Sequence, residues 1–196
     1  MKKYAFILIL LLAFQTKAQN NKRVTVELKA NHFSALGNNF ASDALRPFFG
    51  IGFGISKKIV KNFGLGLEYT RGYSDVKDSS IFGDLKSPRL SVFEAYLFYN
   101  HPINEKLEVD ANIGTNDMRI RSQSNYRSKG YREGGAGFSF GGKVFYNIAT
   151  KPQLDIVGGG KMYFYKSNVE MNNAEKEKYY SKVPFLNLNL GIRLHL

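Results

Sequence analysis

Few residues in this 196-residue chain are able to do acid–base or nucleophilic chemistry. It contains three histidines, His32, His101 and His195, and no cysteine, which excludes thiolate metal sites and cysteine nucleophiles. His32 and Ser34 share one face of an extended segment, where such positions are about 6.6 Å apart along the backbone. A Ser–His dyad needs direct hydrogen-bond contact and an orienting acid. Neither is indicated, so we expect no enzyme, no metal site and no cofactor.

A basic stretch that contains tyrosines is the clearest candidate for ligand binding. SQSNYRSKGYR, residues 122–132, follows directly after two further arginines separated by Ile120. Arginine and lysine side chains form charge-assisted hydrogen bonds with phosphate or carboxylate groups. The candidate contacts for an anionic ligand are Arg119, Arg121, Arg127, Lys129 and Arg132. A solvated, non-specific loop surface is the alternative.

Most of the chain is organised by a period-two alternation of apolar and polar residues, which is typical of β-strands. Polar stretches, or stretches that contain Gly or Pro, interrupt the alternation at regular distances. The pattern predicts eight strands: Arg23–Ala35, Pro47–Ser56, Asn62–Tyr73, Arg89–Asn100, Lys106–Arg121, Glu133–Asn147, Gln153–Tyr165 and Val183–Leu196.

The connections between these strands alternate in length. Short turns at 57–61, 101–105 and 148–152 alternate with longer connections at 36–46, 74–88, 122–132 and 166–182. If the strands run up and down in order, the short turns and both termini fall at one end and the long loops at the other. Short periplasmic turns and long outer loops are characteristic of outer-membrane barrels.

The two faces of the predicted strands indicate that lipid lies outside. One face is apolar and carries no charged residue over the central part of each strand; Lys or Arg at mid-bilayer would cost about 2–4 kcal/mol there. The other face is polar or small, as at Gly50, Gly52 and Gly54. Alternate glycines weaken a solvated strand, but they make room inside a narrow barrel. A soluble lipocalin-like barrel with the faces reversed is the alternative.

Eight charged residues fall on the polar face, four of them acidic and four basic. Charges that are removed from water must be paired. We therefore predict a mutually neutralising charge network inside the barrel, formed by Glu27, Lys29, Glu68, Glu94, Asp110, Lys143, Lys161 and Arg193.

The start of the chain has the features of an export signal. MKK is followed by an apolar run from Tyr4 to Phe14 and by small residues that end at Ala18. This run is shorter than the roughly 20 residues of a membrane-spanning helix. We predict a cleaved signal peptide at 1–18 and one barrel domain at 19–196. Loss of three lysines lowers the formal net charge from +12 to +9. For an exported chain we expect acidic lipids or glycans, and no nucleic acid, as counterparts.

With these features the chain resembles the small outer-membrane β-barrels of Gram-negative bacteria, the OmpA/OmpX-like group. In its last segment, Asn189, Gly191, Leu194 and Leu196 are similar to the polar–Gly–apolar–apolar signal that the barrel assembly machinery recognises in that group. The sequence departs from the group at Leu196, where many members have an aromatic residue. The resemblance implies location in the outer membrane, contact with outer-membrane lipid and lipopolysaccharide, and recognition by the assembly machinery.

The sequence thus predicts an all-β protein: an eight-stranded antiparallel up-and-down transmembrane β-barrel with a packed polar lumen, formed after removal of a signal peptide. We expect a structural role, or interaction with a surface protein or glycan ligand through four long extracellular loops. Three alternatives stay open. They are a narrow solute or ion channel, a lipid A-modifying enzyme that uses His32 and Ser34, and a soluble periplasmic ligand-binding barrel.

Overall fold

Eight strands form one closed antiparallel barrel in which each strand pairs with its neighbours in sequence and the last pairs with the first. The computed structural model describes residues 24–83, 85–124, 131–169 and 172–196, so the predicted signal peptide lies outside the described residues. The strands are β1 (Val24–Ala35), β2 (Phe48–Val60), β3 (Phe63–Tyr73), β4 (Leu85–Pro102), β5 (Leu107–Ser124), β6 (Tyr131–Thr150), β7 (Gln153–Ser167) and β8 (Lys182–His195). The predicted strand number, order and closure are confirmed.

Several strands extend further than the apolar alternation. β4 begins at Leu85 rather than Arg89, β5 continues to Ser124 rather than Arg121, and β2 takes up most of the predicted turn at 57–61. Backbone hydrogen bonds continue across these hairpins because strand pairing does not require apolar side chains. The short connections, 61–62, 103–106 and 151–152, still lie at the end opposite the long ones.

The closing seam between β1 and β8 leaves no free sheet edge. Its register runs from Thr25 opposite His195 to Ala35 opposite Phe185, and the Leu196 amide donates to the Val24 carbonyl at 2.9 Å. Closure matters because a backbone polar group without a partner in hydrocarbon costs several kcal/mol.

The outer and inner faces are oriented as predicted. Ile51 is 67% exposed and Leu190 is 63% exposed, whereas Asn187 is buried in the lumen. The apolar set of side chains therefore faces outward. Within the described residues, no helix is long and apolar enough to cross a membrane.

Glycines in β3 make room for aromatic side chains inside the barrel. Gly64 and Gly66 lie directly opposite Phe98 and Tyr96 of β4, and both aromatic side chains are buried. A Cβ atom at Gly66 would overlap with Cζ of Tyr96, so the ring would have to be displaced. The small residues on the inner face are thus a packing requirement of this narrow lumen.

The extracellular half of the lumen is mainly apolar, which corrects the prediction of a polar lumen throughout. Buried Glu133 lies at this level and accepts a hydrogen bond from the Tyr165 hydroxyl at 3.3 Å. In the described parts of the long connections lie three short helices: α1 (Phe40–Ala44), α2 (Ser79–Phe82) and α3 (Ala174–Ser181). Helix α1 buries Phe40, Ala41 and Ala44 against side chains from the strands below. We call this cluster the apolar plug; it comprises Phe33, Phe40, Ala41, Ala44, Leu45, Phe48, Phe82, Leu90, Val92, Met118, Ile120, Tyr163, Tyr165, Val183 and Phe185.

The contrast between inner and outer glycines gives a matched test of this packing. Gly66→Ala forces displacement of the Tyr96 ring, so we expect it to lower the free energy of unfolding by about 1–3 kcal/mol. Gly158 faces outward, and its nearest neighbour to an added Cβ is Leu190 Cδ1 at 3.9 Å. Gly158→Ala should therefore be neutral or stabilising by about 0.4–1 kcal/mol. Urea unfolding in detergent, followed by heat-modifiable gel migration, measures both. Equal effects of the two substitutions would contradict the packing described.

Candidate functional site

Four charged residues form a compact cluster in the middle of the lumen. Lys29 Nζ lies 3.0 Å from Glu27 Oε2 and 2.7 Å from Glu68 Oε2. Lys143 Nζ lies 2.8 Å from Glu27 Oε2, and 4.9 Å from the centre of the Tyr96 ring. All four charged side chains are buried. Two acids and two bases in contact compensate one another, which is the condition for holding charges away from water.

A second ion pair lies nearer the apolar plug. Lys161 Nζ donates to both carboxylate oxygens of Glu94 at 2.8 Å, and the hydroxyl of Tyr163 donates to the same carboxylate at 2.8 Å. Ser139 also donates to Glu94, and Lys161 Nζ lies 4.6 Å from the centre of the Tyr96 ring. The Glu94 carboxylate is thus surrounded by donors, and the Tyr96 ring separates this pair from the four-residue cluster.

A third group lies toward the periplasmic end. Arg193 Nη2 lies 2.6 Å from Asp155 Oδ2 and 2.8 Å from Glu108 Oε2. Its guanidinium carbon is 3.6 Å from the centre of the Phe145 ring, and His195 Nε2 lies 2.6 Å from Asp155 Oδ2. The sequence analysis missed Asp155 and Glu108 as partners. Continuing the alternation along β7 and β5 would have placed both on the inner face.

Asp110 differs from the other predicted members of the network. Its Oδ1 atom accepts a hydrogen bond from Asn100 at 2.6 Å, and no basic side chain forms an ion pair with it among the described residues. Glu108, Asp155, Glu133 and Lys58 also lie on the inner face, in addition to the eight charged residues predicted there. The structure pairs the other seven predicted residues, but in three groups rather than in one network.

Three of the five predicted anion contacts lie on the outer wall, near the extracellular ends of two strands. Arg119 and Arg121 belong to β5, Arg132 belongs to β6, and Arg121 is directly opposite Arg132. The other two predicted contacts, Arg127 and Lys129, lie outside the described residues. The described part therefore presents a basic surface near the extracellular ends of two neighbouring strands.

The predicted assembly signal occupies the closing strand. Asn189 faces the lumen, and Leu196 is 67% exposed at the end of the chain. A Cβ atom at Gly191 would overlap with the carbonyl oxygen of Leu28 in β1. Packing at the seam therefore requires this glycine independently of any recognition. The role of Asn189, Gly191, Leu194 and Leu196 in assembly stays a prediction.

His32 and Ser34 are closer than their backbone spacing suggested. His32 Nε2 lies 2.9 Å from Ser34 Oγ, so the expectation that geometry hinders this hydrogen bond is wrong. The two side chains lean toward each other along the strand. In the part of the chain that the structure describes, no carboxylate hydrogen-bonds to the His32 ring. Its ring instead packs on Phe49, with the ring centres 4.5 Å apart.

Within the described residues, no group of three or more His, Asp or Glu side chains is arranged to hold a metal ion.

Side chains from three long connections form the extracellular layer of the apolar plug, which we call the cap. The Phe40 ring centre lies 5.6 Å from that of Phe82 and 5.2 Å from that of Tyr180. The Tyr179 hydroxyl in α3 donates to the Asp43 carboxylate in α1 at 2.8 Å. Partial burial, together with this carboxylate, raises the pKa of Tyr179 to about 12. The phenol therefore stays protonated and continues to donate to a higher pH than an ordinary tyrosine would.

A closed barrel with an apolar outer band and a lumen filled by side chains defines a transmembrane β-barrel. Residues 4–194 match the outer membrane protein beta-barrel domain. The chain belongs to this family and is located in the outer membrane. Among curated proteins, none matches the sequence significantly.

Several solved structures share the fold at low sequence identity. Neisserial surface protein A, from Neisseria, aligns with a TM-score of 0.65 and 14% identity, covering 92% of this chain and all of the other. A major outer membrane protein from Thermus thermophilus aligns with a TM-score of 0.59 and 14% identity, covering 90% of this chain and all of the other. Ail of Yersinia pestis, in complex with the heparin analogue sucrose octasulfate, aligns with a TM-score of 0.53 and 9% identity, covering 89% and 97%. At these identities the likeness shows the fold alone.

The Glu94–Lys161 pair allows a direct test of charge pairing in the lumen. Lys161→Met leaves a buried carboxylate without its counter-ion and should lower the free energy of unfolding by about 3–5 kcal/mol. Adding Glu94→Gln removes that charge but keeps an acceptor for Tyr163, so the double variant should be more stable than the single one. Chemical unfolding in detergent measures both, with Lys176→Met on the exposed surface of α3 as the control. A double variant less stable than Lys161→Met would contradict the pairing.

Proposed function

We propose that this protein is a sealed outer-membrane barrel, without a conducting pore, that acts through its extracellular surface. One observation carries the proposal: successive layers of side chains fill the described lumen above a cavity of about 320 Å³ at its periplasmic end, which is lined by Lys58, Asp110 and Arg193 among others. An eight-stranded barrel is just wide enough for its interior to be filled in this way, and wide aqueous channels occur at about 16 strands.

The order of the layers supports a seal rather than a gate with one barrier. The Arg193 group lies toward the periplasm, the cluster around Glu27 and the Glu94–Lys161 pair follow, and the apolar plug closes the extracellular half. An ion that crosses the barrel would have to displace paired charges and then pass the apolar plug. Each step requires loss of hydration without compensation.

The proposed partners are those of an outer-membrane surface. We infer that the outer wall and the long connections contact lipid and lipopolysaccharide. We also infer that the barrel assembly machinery binds the closing strand during biogenesis. A surface protein or a glycan is a further candidate ligand for the extracellular end. The complex of Ail with a sulfated heparin analogue supports the idea that this fold is compatible with binding polyanions.

The remaining alternatives have less support. Location in the outer membrane and the lipid-facing apolar band rule out the soluble periplasmic barrel. The His32–Ser34 hydrogen bond is one element of a nucleophilic dyad, but activation also requires an acid that orients the histidine. We therefore infer that the pair has an interfacial role and that the protein is not an enzyme.

Planar-bilayer recording tests the seal. The refolded protein should give no resolved single-channel steps, whereas a 16-stranded porin refolded and inserted in the same way supplies the positive control. The double variant Phe40→Ala/Phe82→Ala, which opens the cap, should stay silent because the ion-paired layers below are intact. Reproducible steps from the unmodified protein would contradict the proposal and favour the narrow channel.

A further inference from the structure

Five arginines form a continuous patch on the outer wall, across four neighbouring strands. Arg89, Arg121 and Arg132 are direct cross-strand neighbours in β4, β5 and β6, and Tyr73 of β3 continues their row. The next row toward the membrane contains Arg71, Ser91, Arg119 and Gly134. We define the arginine patch as Arg71, Arg89, Arg119, Arg121 and Arg132. Only the last three were candidates from the sequence.

The patch lacks enough negative charge to compensate it. Like charges directly opposite each other on a sheet are destabilising. Arg119 has a carboxylate partner, since its Nε atom donates to Asp117 Oδ1 at 3.1 Å. The other four arginines have no carboxylate partner among the described residues, and Arg89 Nε is buried there without a hydrogen-bond acceptor. The guanidinium groups of Arg71 and Arg89 each lie 5.7 Å from the centre of the Tyr73 ring, which contributes no full charge.

The position of the patch matches the headgroup level of the outer leaflet. The next outward residues toward the membrane are Tyr69 below Arg71 and Phe93 below Ser91, both about half exposed. In β5 the corresponding residue is Asp117, the ion-pair partner of Arg119. Outward aromatic residues mark the interface of the apolar band with the headgroups. A row of guanidinium groups directly above this band lies where outer-leaflet lipids carry their charged groups.

We propose that the arginine patch binds the phosphate groups of outer-leaflet glycolipid, with lipid A as the chemical class. Guanidinium groups bind phosphate through two parallel N–H donors, and side chains on directly paired strands are about 5 Å apart, so adjacent arginines reach one phosphate together. Arg119 is already held by the Asp117 carboxylate, so the contact is assigned first to Arg89, Arg121 and Arg132, which are direct cross-strand neighbours. The inference rests on the proposed function, since it names the partner of the extracellular surface.

Lipid binding by the refolded full chain in uncharged detergent tests the proposal. Phosphorylated lipid A should raise the melting temperature and bind at least about tenfold more tightly than dephosphorylated lipid A, which corresponds to about 1.4 kcal/mol. Arg89→Gln/Arg121→Gln should reduce that affinity at least about tenfold. Lys176→Gln/Lys178→Gln, which removes the same charge from exposed positions of α3, should leave it unchanged.

The same variants separate binding from folding. Without lipid, the Arg89→Gln/Arg121→Gln barrel should be no less stable than the unmodified barrel, and added salt should stabilise it less, because less repulsion remains to be screened. Equal affinity for the two forms of lipid A, or for inorganic phosphate and lipid A, would overturn the proposal, as would heparin competing lipid A away at lower concentration. Bilayer recordings on the same preparation report on the seal separately.

Discussion

The interior of an eight-stranded barrel is just wide enough for side chains to fill, so a charge held there away from water must be compensated by the protein itself. Lys29 and Lys143 meet this condition by contacting Glu27. The two lysines belong to β1 and β6, which are far apart in sequence. Other features follow from this constraint. Glycines in β3 admit Tyr96, whose ring separates the ion pairs, and the apolar plug needs no counter-charges because it contains no charged groups.

Charge is sorted between the two surfaces of the barrel wall. Inside the barrel, acidic and basic side chains form ion pairs with each other. On the described outer wall near the extracellular end, arginines outnumber carboxylates. Within the described residues, seven of the eight predicted network residues form ion pairs, and Asp110 does not. On the outer wall, Arg89, Arg121 and Arg132 lie next to one another, so their charges repel. An external anion would compensate this repulsion.

The strand number, the closure and the lipid-facing side followed from the sequence because alternation has a period of two and the two faces differ in polarity. Which inward side chains form ion pairs with each other did not follow from the sequence. Alternation shows which way Asp155 points, but the stagger between strands decides that it meets Arg193. Arg71 and Arg89 were missed for the same reason: only the register places Arg89 directly opposite Arg121 and brings Arg71 and Arg89 to the same Tyr73 ring. The hydrogen bond between His32 and Ser34 depends on side-chain lean, which backbone spacing does not fix.

Solid-state NMR of the protein in lipid bilayers tests the central claim, that paired charges seal the lumen, most directly. Lysine ammonium nitrogens and glutamate carboxyl carbons can be labelled and their dipolar couplings measured. We predict strong couplings for Lys143 with Glu27 and for Lys161 with Glu94, at distances of about 4 Å or less, from nitrogens that are shielded from water. Lysine nitrogens that exchange freely with water and show no coupling to a carboxyl carbon would contradict the account.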